Sequence, residues 1–338
     1  MTSYSFQSRS LKFIEPGGTS RGVLYEKPSW IVKASRGDQI GIGEISLIPG
    51  LNPENQDQVQ ALIDSCPDWD NLDLTELPSV RFGLEMAKQS LNSASPFDLF
   101  PSDFVNGKTG IQINGLIWMG EKEEMIRRVK EKLEAGFRCL KLKVGAIDFQ
   151  DELAILQHLR SHFDPRDLEI RLDANGAFTG KGESRLRDLA KYQIHSIEQP
   201  VKAREWDEMR FLCSQDIIPV ALDEELIGIT HEQHKLELVQ HLQPHYLIFK
   251  PSLLGGFAAT EEWISVCERT NTPWWATSAL ESNIGLNAIA QWVFTKNNPL
   301  PQGLGTGKVF SNNFECPLFL RNDELHYNPT GSWTIPGQ

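Results

Sequence analysis

The 338 residues contain no Cys-x-x-Cys pair, no long apolar run and no excess of basic charge. Each absence removes a class of protein. The five cysteines (Cys66, Cys139, Cys213, Cys267, Cys316) lie far apart, which argues against a zinc knuckle or a disulfide framework and fits a reducing compartment. No window approaches the ~18 uninterrupted apolar residues of a membrane span, and residues 1–10 carry no apolar run suited to a signal peptide. Acidic residues outnumber basic ones by 45 to 33, for a formal net charge of −12. Nucleic acid and anionic membranes call for clustered Lys and Arg, so neither is an expected partner. With 40% hydrophobic and 23% charged residues the chain has an ordinary globular composition and enough apolar surface for a large core. A soluble cytoplasmic protein is the expectation; the oligomeric state is not legible.

The chain divides into three parts, with expected domains at residues 1–105, 106–311 and 312–338. In the first, Trp30-Ile31-Val32-Lys33-Ala34 and Gln39-Ile40-Gly41-Ile42-Gly43-Glu44-Ile45 read as strands joined by a turn at Arg36-Gly37-Asp38. Helical stretches follow, including Ser79 to Ala87, so a small α+β domain is expected. From about residue 110, short β-prone runs alternate with longer helical ones. The runs cover residues 110–114, 139–144, 169–173, 196–198, 219–223, 246–250, 274–278 and 302–306, and from the second onward their ends lie 25 to 30 residues apart. That spacing holds one strand, one helix and two short loops. One intervening helix shows its apolar stripe at Ile126, Val129 and Leu133, with Gly136 where a C-terminal cap belongs. Eight such units predict a (β/α)₈ barrel, an α/β fold carrying the N-terminal domain as a cap. In the last part, residues 318–321 and 324–327 read as a hairpin turning at Asn322-Asp323, packed either on the cap or on the barrel.

A barrel of this kind gathers the C-terminal ends of its strands at one mouth, where active sites sit. Here those ends read Lys141-x-Lys143, Asp173, Glu198, Asp223, Lys250 and Ser278. Three carboxylates from successive strands, with no His or Cys beside them, suit a hard divalent ion, Mg²⁺ or its substitute Mn²⁺. Lys141 and Lys143 are two apart on one strand and share a face. Their mutual repulsion is expected to lower a lysine pKa from its ordinary value of about 10.4 and so make a base. Taken singly, a strand-ending Asp is usually a helix cap and a Lys-x-Lys a solvated edge. Three acids and three lysines in one register are not explained that way. Two other patterns carry no chemistry. The histidines of His231-Glu232-Gln233-His234 are three apart rather than the i, i+4 of a zinc protease, and with Lys235, Glu237, Gln240 and His241 they read as a wet helix face. Gly303-Leu304-Gly305-Thr306-Gly307-Lys308 lacks the Ser or Thr after Lys and the first Gly of a phosphate loop.

Lys141-Leu142-Lys143, Asp173-Ala174-Asn175-Gly176, Glu198-Gln199-Pro200, Leu222-Asp223-Glu224 and Lys250-Pro251 with Gly255-Gly256 resemble the motif series of the enolase superfamily, muconate-lactonizing subgroup. Within it the chain is most similar to the o-succinylbenzoate synthase family. The residues behind that likeness are Gly43-Glu44-Ile45-Ser46, Leu47-Ile48-Pro49-Gly50, Ser79 to Glu85, Arg171, Ser278 to Ser282 and Gly303 to Thr306. The resemblance implies a lyase that dehydrates a cyclohexadiene carboxylate, a small-molecule acid, in menaquinone or phylloquinone biosynthesis. It also implies Mg²⁺ on Asp173, Glu198 and Asp223, with Lys143 as the base, Lys250 opposite as the electrostatic partner and Lys141 tuning Lys143. Arg171, Ser278, Ser282 and Gly305 are the implied substrate-side residues. Arg171, two before Asp173, would hold that ligand in place, its plainer alternative being a salt bridge in the barrel core. The rival reaction is racemisation or epimerisation by Lys143 and Lys250 on opposite faces, as in an N-acylamino acid racemase. A cycloisomerase of the same superfamily is a further alternative. The dipeptide version is disfavoured because Gly303, Leu304 and Gly305 stand where dipeptide epimerases carry acids. A non-catalytic barrel would have lost a lysine or an acid, and none is missing.

Overall fold

The computed structural model describes residues 2–19, 22–66 and 68–334. Strands β1 (Ser3–Thr19), β2 (Gly22–Arg36) and β3 (Gln39–Ser46) form an antiparallel sheet in that order, followed by helices α1 (Gln56–Ser65) and α2 (Pro78–Leu91). The two expected strands lie within β2 and β3, joined through Gly37 at φ +60°. β1 has no counterpart in the sequence reading. It is an edge strand, and most of its side chains are polar or exposed, so it lacks the apolar alternation that marks a half-buried strand. Along β2, Trp30, Val32 and Ala34 alternate inward and pack with Ile45 against Val80, Leu84 and Ala87 of α2. The helix lies this close because β3 carries glycines: a Cβ at Gly41 or Gly43 would come within 2.1 Å of the Ala87 or Gly83 carbonyl oxygen.

The second part alternates strand and helix. It begins with β4 (Ile111–Gln112), β5 (Gly115–Ile117), α3 (Lys122–Glu134), β6 (Cys139–Lys143), α4 (Phe149–His162), β7 (Glu169–Asp173) and α5 (Gly182–Ala190). It continues with β8 (Ser196–Glu198), α6 (Trp206–Ser214), β9 (Val220–Leu222), α7 (Glu232–Leu242), β10 (Tyr246–Phe249) and α8 (Pro251–Leu254). The last elements of this part are α9 (Gly256–Thr270), β11 (Trp274–Ala276) and α10 (Asn283–Phe294). Strands β5 to β11 form one curled seven-stranded parallel sheet in chain order, an α/β barrel-like fold. The expected helix is α3, with Met125 and Val129 buried and Ile126 and Leu133 packed against the core.

The expected eighth strand needs correcting. Gln302 and Gly303 make single parallel bridges to Ile113 and Thr277, so this short segment touches both edges of the sheet without becoming a regular strand. Pro301 brings no N–H and Gly303 and Gly305 bring no side chains, which weakens a strand at that point. The C-terminal hairpin is present as β12 (Leu318–Arg321) and β13 (Glu324–Tyr327), turning at Asn322 with φ +54°. β13 pairs with β4, and the Ile113 N–H donates to the Asp323 carbonyl at 2.8 Å. The hairpin therefore closes the end of the barrel opposite the strand termini that carry the charged residues. On α7, His231, His234, Glu237, Gln240 and His241 are exposed as expected. Lys235 is not: it is buried, donates to the Ala259 carbonyl at 3.1 Å and pairs with Glu262 at 2.5 Å. All five cysteines are free, and among the described residues no helix is long and apolar enough to cross a membrane.

Candidate active site

Strand register brings the charged residues together. Lys143 pairs with Asp173 between β6 and β7, and Asp173 pairs with Glu198 between β7 and β8, so the three lie on one rung and share one face. Glu198 pairs with Ala221 of β9, and Asp223 follows two residues later. Lys250 directly follows β10, four strands from β6 in the sheet order. Lys143 and Lys250, with Lys141 and Asp173, line one cavity.

The contacts are close and buried. Lys143 Nζ donates to Asp173 Oδ2 at 2.9 Å and to Asn175 Oδ1 at 2.7 Å. Lys141 Nζ lies 3.1 Å from Asp173 Oδ2 and 2.5 Å from Glu198 Oε2. Lys250 Nζ donates to Asp223 Oδ2. Burial pulls the Lys141 ammonium down, but Asp173 and Glu198 outweigh it and hold the group above the ordinary lysine value. Burial likewise opposes the charge of Lys250, yet Asp223 foremost holds it well above the usual range. The repulsion expected to lower a lysine is therefore overridden at Lys141 by the carboxylates facing it. Burial also works against the Asp173 carboxylate, which Lys141 and Lys143 nonetheless hold far below the normal range. Glu198 goes the other way, raised by burial and by the neighbouring Asp173 charge.

With each carboxylate turned to a lysine, no three acidic, His or Cys side chains among the described residues are grouped tightly enough to hold a metal ion. Two observations nevertheless fit one. The donors are all oxygens on three adjacent strands, and Glu198 Oε1 is buried without a hydrogen-bond partner. The Lys141 contact to Oε2 is an ion pair whose angle does not make a hydrogen bond.

The substrate-side expectations divide. Ser278 and Gly305 line the cavity, and Ser278 Oγ is 2.5 Å from Thr306 Oγ1. Arg171 does not reach it. The Arg171 guanidinium donates to Glu169 at 2.6 Å and to the Pro301 carbonyl at 2.9 Å, and lies 4.1 Å over the Trp275 ring. It is the buried core ion pair, one pleat below Asp173 and not bonded to it. Ser282 is the N-cap of α10, with its hydroxyl on Glu44, and is not part of the cavity wall. The sequence reading missed Asn175, which links Lys143 to Glu224 through a 2.9 Å bond, and the apolar pair Ile48 and Leu51, which the N-terminal unit contributes to the wall. The Asn175-Gly176 pair after a strand was a usable signal, since such a pair marks a turn, and Asn175 indeed adopts φ +42°.

A barrel mouth with three lysines interleaved among three carboxylates defines an enzyme of the enolase-like class. Residues 124–322 match the family described as Enolase C-terminal domain-like, and residues 20–91 match MenC, N-terminal domain. The o-succinylbenzoate synthase of Desulfotalea psychrophila (strain LSv54) is 41% identical over 93% of this chain and 96% of its own length. The crystal structure of MenC from Desulfotalea psychrophila LSv54 superposes with a TM-score of 0.85 at 37% identity, covering 96% of this chain and 99% of that one. A dipeptide epimerase from Enterococcus faecalis V583, solved with Mg and the dipeptide L-Leu-L-Tyr, shares the fold at a TM-score of 0.78, 20% identity and 97% coverage of both chains. The chain belongs to the o-succinylbenzoate synthase family of enolase-like enzymes.

Proposed function

We propose that the chain dehydrates 2-succinyl-6-hydroxy-2,4-cyclohexadiene-1-carboxylate to o-succinylbenzoate, a step of menaquinone biosynthesis. The observation that supports this reading is that Lys143, Asp173 and Lys250 line one cavity, the two lysines coming from strands four apart in the sheet. Asp173, Glu198 and Asp223 would hold a divalent cation, Mg²⁺ or Mn²⁺, which when bound supplies positive charge to the substrate carboxylate. Lys143, as the free amine, takes the proton from C1, and the C–H electron pair passes into the carboxylate-conjugated system. The C6–O bond then breaks, and the Lys143 ammonium returns its proton to the departing hydroxyl, which leaves as water from the same face. The electrons left behind form the C1–C6 double bond and complete the aromatic ring. Lys250 stays charged and stabilises the electron-rich ring from the other side, by charge and by cation–π attraction. Asn175 fixes the Lys143 Nζ position through its 2.7 Å bond.

The test follows aromatic product by absorbance with the cyclohexadiene acid as substrate. Turnover is expected, is abolished by EDTA and returns with Mg²⁺; a Mg²⁺-supplemented protein that leaves the substrate unchanged refutes the proposal. The opposed lysines also favour one second reading, racemisation of N-acylamino acids, because each could serve one face of the α-carbon. In D₂O a racemase inverts and labels the acylamino acid at that carbon, whereas an enzyme confined to dehydration does neither. Gly303 and Gly305 on the cavity wall leave no acid there for the ammonium group of a dipeptide.

A further inference from the structure

One stretch of the cavity wall is held from outside the barrel. Ala279 and Leu280, in the loop between β11 and α10, line the cavity, and Leu280 has φ +61°. A branched residue rarely occupies this left-handed region, because its Cβ crowds the following carbonyl oxygen. The loop's own barrel contacts lie just upstream, where the Thr277 N–H donates to the Phe249 carbonyl at 2.8 Å and the Ser278 N–H to the Gly303 carbonyl at 3.0 Å. At the strained residue itself the partner comes from the N-terminal unit. Lys27 of β2, 1% exposed, donates its Nζ to the Leu280 carbonyl at 2.9 Å and to Ser46 Oγ of β3. Glu281, the next residue, is fully buried, and its carboxylate accepts from Ser252 Oγ and from the Ala279 N–H at 2.8 Å. Burial pulls the Lys27 ammonium below the ordinary lysine value, and Glu44 and Glu281 offset that only in part. A buried lysine is costly to place, and here its Nζ is spent on the peptide carbonyl of the strained residue.

We propose that Lys27 is a positioning residue for substrate binding. It holds the Leu280 peptide in its left-handed conformation, and through that peptide the N-terminal unit sets the shape of the Ala279–Leu280 wall. Lys27 touches no substrate; it acts through the loop. This inference rests on the reading that the cavity holds the cyclohexadiene acid and its aromatic product.

The experiment is a double-mutant cycle on the full chain, reading KM and kcat for dehydration and calorimetric binding of o-succinylbenzoate. Lys27→Met removes the donor while keeping side-chain length. The expected result is a KM, and a product Kd, raised about tenfold, the population ratio set by one left-handed residue, with kcat changed less than about threefold. Leu280→Gly makes the same φ free of steric cost, so in that background Lys27→Met should raise KM by less than about twofold. An equal factor in both backgrounds, or a loss confined to kcat, overturns the proposal. If Lys27→Met alone fails to fold and the double variant is soluble and binds product, the strained loop is again what Lys27 supports. Failure of both variants beside a folded Leu280→Gly shows that Lys27 holds the fold and not the loop, and overturns it. A wild-type chain that neither turns over the acid nor binds the product would instead remove the dehydratase reading beneath it.

Discussion

Lys143→Ala is expected to leave a folded protein whose turnover falls by about 10⁴-fold, the upper end of what one positioned acid–base group supplies. The upper end applies because the same amine is asked to take the C1 proton and to return it to the leaving hydroxyl. The structural cost is small by comparison. Removing one member of a buried ion pair costs about 3–5 kcal/mol when the other charge is left alone. Asp173 is not left alone, because Lys141 Nζ remains 3.1 Å from the same oxygen. Circular dichroism should therefore show an unchanged spectrum and a modest fall in melting temperature. Lys143→Arg separates charge from base. It keeps a cation beside Asp173 and Asn175 but cannot deprotonate near neutral pH, so it should be about as inactive as the alanine variant. Substantial activity in either variant would remove Lys143 as the base. Activity in the arginine variant alone would recast it as a charge that only steadies Asp173.

The charged rung was legible because parallel strands impose it. A period of 25 to 30 residues fixes where strands end, and strand parity fixes which side chains share a face. Lys141, Lys143, Asp173, Glu198, Asp223 and Lys250 could therefore be assigned to one mouth without coordinates. Parity says nothing of depth, so it leaves both readings of Arg171 open: the residue shares the face of Asp173 but lies one pleat lower, satisfied by Glu169 and Pro301 as the core salt bridge. A helix cap and a substrate contact both call for a small hydroxyl, so the sequence does not separate those roles at Ser282, which caps α10. The tuning of the lysines also escaped the sequence. Adjacent cations suggest a lowered pKa, yet the outcome depends on which carboxylates lie in contact, a matter of packing between strands. The N-terminal wall residues Ile48 and Leu51, and the contact of Lys27 with Leu280, join residues more than 200 positions apart in the second case. No local pattern encodes such a pairing. β1 escapes the sequence because an exposed edge leaves little apolar periodicity to read, whereas the segment at Gln302 and Gly303 is over-read as a strand because the repeat spacing, and not its own Pro/Gly-rich residues, assigns it.

The N-terminal unit does more than cover the barrel, and Glu44 gives the largest expected loss of stability. Its carboxylate, on β3, is fully buried and accepts from Ser29 Oγ at 3.0 Å, the Ser282 N–H at 2.9 Å, Ser282 Oγ at 2.6 Å and the Gly285 N–H at 3.0 Å. Two of these donors are the N-cap amide (Ser282) and a first-turn amide (Gly285) of α10, a helix whose residues are nearly all buried and whose N-terminal dipole favours a negative charge. The approach needs Gly285, since a Cβ there would lie 2.6 Å from the Glu281 Cβ and 3.0 Å from Glu44 Oε2. Glu44→Ala strands the Ser282 N–H, the Ser282 hydroxyl and the Gly285 N–H in a buried place, whereas Ser29 Oγ keeps the Ile45 carbonyl at 3.1 Å. The expected cost is about 3–5 kcal/mol, roughly a third of the stability of an ordinary domain. For a chain of this size that is a fall in melting temperature of about 4–7 °C, measurable by calorimetry. Glu44→Gln keeps one carbonyl oxygen but turns an NH₂ toward the remaining donors, so its loss should be intermediate. Because residues 278–280 stand just before this helix start, the alanine variant should also raise KM. A Glu44→Ala protein that melts with the wild type would show that α10 is held by its apolar burial alone, and that the contact between the two units contributes nothing to either.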